Sequence, residues 1–277
     1  MTNLLNFLVW LKIEIQYDKF NYMFLFNLVG KYFLDSLRII GKVGYFIFLS
    51  FRYLFFPRFY FVLNVNYLLK ILISSVPIVA LTAIFSGMVL ALQSYTGFSR
   101  FSAEIAIPKI VVLTLTRELG PVLAGLMVAG RVGASIAAEI ATMRVTEQID
   151  ALKTLDTNFY NYLVTPRMIA LVISMPLLVT FADFLGVYGG YIIGTLRLGF
   201  NETIYISNTI DFVSFEDYFS GMVKSVCFGF IIAVMSCYNG LYTGNGAYGV
   251  GTATTNAVVS SSVLILIFNY ILTELFF

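Results

Sequence analysis

Long apolar runs separated by short polar stretches organise this chain. Five runs approach or exceed the ~20 apolar residues that a helix needs to cross a bilayer. They lie at about 71–95, 108–142, 168–194, 218–240 and 254–276. The runs are continuous rather than alternating, which argues against a β-barrel. The second begins after Pro108, and proline suits a first helical turn because its missing N–H costs nothing there. Its about 35 residues span roughly 52 Å, against a hydrocarbon core of about 30 Å. A kink or an overhang is therefore expected. Gly120-Pro121 is the natural kink, since proline removes one backbone bond and clashes with the preceding turn.

Residues 1–66 are aromatic and basic, with Lys12, Lys19, Lys31, Arg38, Lys42, Arg52 and Arg58, and Lys70 follows. The segment Lys31 to Phe61 is too charged for a clean span. It reads as one or two amphipathic helices lying in the membrane interface. The alternative is a tilted extra span around 43–63. The expected organisation is a 1–66 interfacial region and a 67–277 membrane domain: an all-α, polytopic protein. Loop 143–167 carries Arg144, Lys153 and Arg167, whereas loop 195–217 has Arg197 against Glu202, Asp211, Glu216 and Asp217. The positive-inside rule puts the N-terminus and loop 143–167 in the cytoplasm or stroma and loop 195–217 outside.

Composition agrees. Of 277 residues, 59% are hydrophobic and 12% charged, against about 25% charged in soluble domains. The net charge of +2 comes with no basic cluster of the kind that binds phosphate backbones, so no nucleic acid is expected. There is no histidine, which removes histidine-based metal sites and general-base catalysis. No metal or other cofactor is expected. Cys227 and Cys237 lie roughly 15 Å apart on one helix, too far for a disulfide. The N-terminus lacks signal-peptide and transit-peptide patterns, which suggests synthesis in the compartment that holds the membrane. Heavy use of Phe, Tyr, Ile and Asn hints at an AT-rich genome and tilts the expectation toward a plastid over a bacterium.

Several residues stand out within the spans. Charges there cost a few kcal/mol or more and normally face a protein interior or a water-filled path. Arg117 suits a lipid phosphate; the alternative for this charged pair is an ion pair between helices, with Glu118, Asp183 or Lys224 among the partners. Arg131 and Glu139 read as packing or motion-transmitting groups. Asp183 lies mid-span, where structural pairing competes with a proton-relay role. Small residues recur every four positions: Gly186, Gly190 and Gly194; Gly130, Ala134 and Ala138; Gly133, Ala137 and Ala141. Such rows let helices approach closely, within a bundle or across a dimer. Val145 to Leu152, VTEQIDAL, reads as a short amphipathic helix with Val145, Ile149 and Leu152 on one stripe. Glu147, Gln148 and Asp150 fall on its other faces. Gly244 to Gly249 fits G-x-G-x-x-G, but no strand precedes it, so it reads as a flexible connection. No P-loop motif exists, so ATP-driven work needs another subunit.

The run RELGPVLAGLMVAGRVGASIAAEIATMRVTEQIDAL, from Arg117 to Leu152, closely resembles the signature of the MlaE family, the permease subunits of ABC lipid transporters. Gly246 to Thr273 resembles that family's last span. The resemblance covers roughly 65–277. It implies a homodimeric permease with an interfacial helix and about five transmembrane helices per protomer. It also implies a separate P-loop ATPase subunit, an MCE-domain substrate-binding protein, and phospholipids as cargo. In this scheme VTEQIDAL looks like the coupling helix, and Arg117 and Glu118 lie near a lipid cavity. The expected location is the plastid inner envelope, with a bacterial inner membrane as the alternative.

The mechanism expected from this is a cavity between two copies, lined by the first, second and fifth spans, with Arg117 at the lipid headgroup. ATPase closure would push on 145–152, and the close-packed second span would carry the motion. The competing reading is a stand-alone proton-coupled transporter using Asp183 and Glu118.

Overall fold

A computed structural model describes residues 30–31, 33–34, 37–53, 61–99 and 104–276. The chain divides into two compact units, Met1–Leu49 and Ser50–Phe277. In the first, residues 37–49 are helical and leave Leu37, Ile39, Ile40, Tyr45 and Phe48 exposed. The helix, α1, runs to residue 53. The rest of the expected interfacial region before residue 37, and residues 54–60, fall largely outside the described residues.

The second unit holds five helices long and apolar enough to cross a membrane: Asn64–Phe98, Ile107–Val145, Tyr160–Leu196, Phe215–Leu241 and Gly246–Phe276. Each contains one of the five apolar runs and extends it at one or both ends. The first belongs to α2 (Phe61–Phe98). The second comprises α3 (Ile107–Thr114), α4 (Gly120–Val128) and α5 (Ala134–Val145). The third is α7 (Thr165–Leu196) with a leading π turn at Tyr160–Val164, the fourth is α9 (Phe215–Leu241), and the fifth is α10 (Gly246–Phe276). Two short helices lie between spans: α6 (Gln148–Thr154) at one end of the bundle and α8 (Glu202–Phe212) at the other. These mark the α6 end and the α8 end.

Local chemistry sets the boundaries. Asn201 caps α8, its side chain accepting from the backbone N–H groups of Thr203 and Ile204 at 3.0 and 3.3 Å. Ser214 caps α9 by accepting from Asp217 N–H, and Glu216 and Asp217 sit in that helix's first turn, where the dipole favours anions. The fourth and fifth spans meet in a tight turn rather than a flexible connection. A Cβ on Gly249 would stand 2.2 Å from the Gly244 carbonyl oxygen, and Gly246 has φ +71°.

α9 is the most buried span and α10 the least. α2 lies along α7, and their contact depends on missing side chains. A Cβ on Gly87 would fall 1.9 Å from the Gly186 carbonyl oxygen, and one on Gly189 would fall 2.4 Å from that of Ile84. In a membrane such backbone approach replaces the hydrophobic drive available in water. Gly190 meets Val111 of α3, and Gly194 meets the ring of Tyr205 in α8. Gly133 faces Ser236 and Ile232 of α9. Gly130 is different: it is exposed, and nothing lies within 4 Å of the position its Cβ would take. It therefore does no packing within the described chain, and the row that works inside the protomer is the one starting at Gly133.

Candidate functional site

The second span departs from α geometry twice, at π turns Leu115–Leu119 and Ala129–Gly133. Arg117 and Glu118 occupy the first turn and Arg131 the second. Such turns widen a helix and free backbone groups, often at functional positions. The first lies directly before Gly120-Pro121, so the expected irregularity takes the form of a π turn that leads into the proline.

Pro121 has no N–H for the carbonyl four residues back, which belongs to Arg117. Lys224 of α9 supplies the missing donor: its Nζ reaches the Arg117 carbonyl oxygen at 2.9 Å. The same ammonium donates to Glu118 Oε1 at 2.7 Å and to Thr273 Oγ1 at 2.8 Å. All three Lys224 protons are thereby placed, as a fully buried lysine requires. Glu118 Oε2 accepts from Asn269 Nδ2 at 2.8 Å, and Thr273 Oγ1 lies 2.9 Å from Glu118 Oε1. One cluster thus fastens the second, fourth and fifth spans together toward the α8 end.

Arg117 points elsewhere. Its Nε and Nη2 both reach Asp217 Oδ1 in the first turn of α9. Asp217 is buried, while the Arg117 side chain stays 29% exposed. Neither Glu118 nor Asp183, the acids named from sequence, is the partner of Arg117. Lys224 binds Glu118 instead, and Asp217 reads in the sequence as a loop acid. Asn269 and Thr273 went unread, though both are polar groups in an apolar span. Asp183 Oδ1 is buried without a hydrogen bond among the described residues and abuts Gly120, where a Cβ would collide with it.

At the α6 end, Arg167 is 1% exposed. Its Nη1 donates to the Leu163 carbonyl at 2.7 Å, its Nη2 pairs with Glu139 at 3.0 Å, and its guanidinium lies 4.5 Å from the Tyr67 ring centre. Glu139 therefore does join helices, linking α5 to α7 and α2 through an arginine that reads in sequence as a loop charge. Arg131 does not: it is exposed and lines a groove between α2 and the second span.

VTEQIDAL is not one helix. α5 ends at Val145, and the chain turns at Thr146-Glu147, with Glu147 in the left-handed region at φ 62°. α6 then starts at Gln148. Ile149 is buried as the anchor, Val145 and Leu152 are half-buried, and Glu147 and Gln148 are exposed. Asp150 clasps the turn. Its carboxylate accepts from Lys153 at 3.0 Å and from Arg144 at 2.8 Å, and these bonds hold it below the usual carboxylate range. The result is a hook that projects two polar side chains, and Leu155 beyond them, from the end of the second span.

Known proteins place this architecture. The Permease MlaE family model matches residues 64–275. The chain is 57% identical over 251 residues to a probable ABC transporter permease protein of Rickettsia prowazekii, covering 91% of this chain and 97% of the relative. It is 41% identical over 186 residues to a probable ABC transporter permease protein of Porphyra purpurea, covering 67% and 71%. It is 34% identical over 250 residues to the intermembrane phospholipid transport system permease protein MlaE of Haemophilus influenzae, covering 90% and 96%. With five spans, a buried ion cluster and a family match along the whole membrane unit, the chain belongs to the MlaE permease family.

Proposed function

We propose that this chain is the membrane subunit of a phospholipid transporter, working as a homodimer with a separate P-loop ATPase and an MCE-domain lipid-binding protein. The observation that carries this reading is the α6 hook. A buried Ile149 and the Arg144–Asp150 clasp fix it to the second span, while Glu147 and Gln148 project outward. A helix held this way transmits a push into the span that also carries Arg117 and Glu118.

In this reading Glu118 is set by the cluster and borders the lipid cavity. The exposed part of Arg117 meets the headgroup phosphate, for which a guanidinium fork is well shaped. The thinly covered α10 faces the second copy or the cargo. The Haemophilus relative's phospholipid role supports the choice of cargo. A bacterial inner membrane is favoured over a plastid envelope, because identity to the Rickettsia relative exceeds that to the Porphyra one.

A mild-detergent pull-down from the native membrane tests this, with ATP hydrolysis assayed on the eluate. Co-elution of a P-loop ATPase and an MCE-type protein, with vanadate-sensitive turnover, is expected. Elution alone, under conditions that preserve other such complexes, contradicts it and favours proton coupling. One observation speaks for that second reading, the unpartnered Asp183 oxygen. Against it, Glu118 is held by Lys224, Thr273 and Asn269, and among the described residues Asp183 Oδ1 has no hydrogen bond to Glu118.

A further inference from the structure

We infer that the groove between the first and second spans at the α6 end is a binding site for the phosphate of an anionic phospholipid, separate from the Glu118 cluster. The groove holds about 250 Å³. Lys70 and Ser74 of α2 and Arg131 and Ser135 of the second span line it, together with Tyr67 and Glu139. Among the described residues, neither Lys70 nor Arg131 has a hydrogen bond or ion pair. The one carboxylate present, Glu139, is already committed to the buried Arg167. Lys70, Arg131 and Arg167 against Glu139 leave a local charge of +2. Two unneutralised cations beside two hydroxyls call for an anion with several acceptor oxygens, and phosphate supplies them.

The pattern beyond the groove selects a lipid over a free ion. Along α2, Lys70 and Ser74 are continued on the same stripe by Ile78 and Leu81, which are exposed and apolar. Along the second span, running back toward the α8 end, Ser135 and Arg131 give way to Met127 and Leu123. Both helices therefore pass from cationic to apolar in the same direction. A molecule with an anionic head and an acyl tail matches that order. Lys70 stands six residues into the first span, about 9 Å along the helix, a depth from which a long side chain reaches a headgroup.

This inference rests on the membrane-spanning reading alone, so it stands even if no ATPase binds. Its test uses the full chain by itself in phosphatidylcholine vesicles containing a minority of phosphatidylglycerol with a photoactivatable acyl chain. Cross-links are expected on peptides around Ile78, Leu81 and Met127. The K70Q/R131Q double variant should lower their yield about tenfold or more, the worth of a lost charge-assisted contact. R197Q, at the α8 end, should leave it unchanged. If the double variant does not elute as a folded protein, S135F, which fills the groove with an apolar ring, should give the same loss. Three results overturn the inference: labelling untouched by the folded variants, equal labelling by a photoactivatable phosphatidylcholine, or displacement of the lipid by inorganic phosphate, which assigns the groove to a free anion.

Discussion

Lys224 Nζ donates to the carbonyl oxygen of Arg117 at 2.9 Å, the acceptor that Pro121 leaves without its helical partner. A lysine on one span thus repairs the backbone of another and anchors Glu118 in the same step. Lys224→Met should cost about 3 kcal/mol, the low end for breaking a buried pair, because Glu118 keeps part of its side chain exposed. Pro121→Ala returns an N–H to the Arg117 carbonyl, so it should recover about 1 kcal/mol in the Lys224→Met background. Unfolding of the four proteins in a double-mutant cycle measures this. Strict additivity would refute the link.

Gly87→Ala should destabilise by about 1–3 kcal/mol, since its Cβ would meet the Gly186 backbone and push α2 from α7. Gly130→Ala should change the protomer's stability by less than about 0.5 kcal/mol, because its surroundings are open. Thermal unfolding in detergent compares the two. If Gly130→Ala alters the oligomeric state while leaving protomer stability intact, its row of small residues serves the contact between copies.

Much of this was legible from residue order. Each described span contains one of the five apolar runs, because bilayer length and hydropathy constrain them strongly. Gly186 and Gly190 show in the sequence as a small-residue row, and in the structure they face Leu115 and Val111 of the second span. Spacing alone, however, cannot say which small-residue row faces its own bundle, so Gly130 and Gly133 looked equivalent. Arg117 and Asp217 lie a hundred residues apart, and no local signal joins them. The break at Glu147 was hidden because the amphipathic stripe of VTEQIDAL runs through it and no glycine marks the left-handed residue.

The Asp150 clasp carries a pH signature. Its hydrogen bonds to Lys153 and Arg144 lower the folded-state pKa, so their contribution is fully present above the ordinary carboxylate pKa and is lost as pH falls through the depressed value. Amide exchange across residues 146–155, corrected for its intrinsic pH dependence, should therefore stay protected to mildly acidic pH and rise below that. Asp150→Asn should show the raised exchange already at neutral pH.

Asp183→Asn preserves shape and removes the ionisable group. Since Asp183 Oδ1 has no hydrogen-bond partner among the described residues, the variant should fold and, with the ATPase present, retain lipid transfer within about twofold, a change under 0.5 kcal/mol in rate terms. Lipid transfer assays in proteoliposomes with and without ATP provide the check. Abolished transfer in a folded protein would make Asp183 part of the transport chemistry.

In the proposed function the α6 hook couples this permease to an ATPase. Asp150 is unsuitable for the test, because a lysine there would break the hook itself by facing Arg144 and Lys153. Glu147 is exposed and outside the clasp. Glu147→Lys, combined with Gln148→Lys, should abolish co-purification of the ATPase while membrane insertion and thermal stability stay at wild-type levels. Undiminished co-purification and ATP-driven lipid transfer by that folded variant would rule out coupling through the hook.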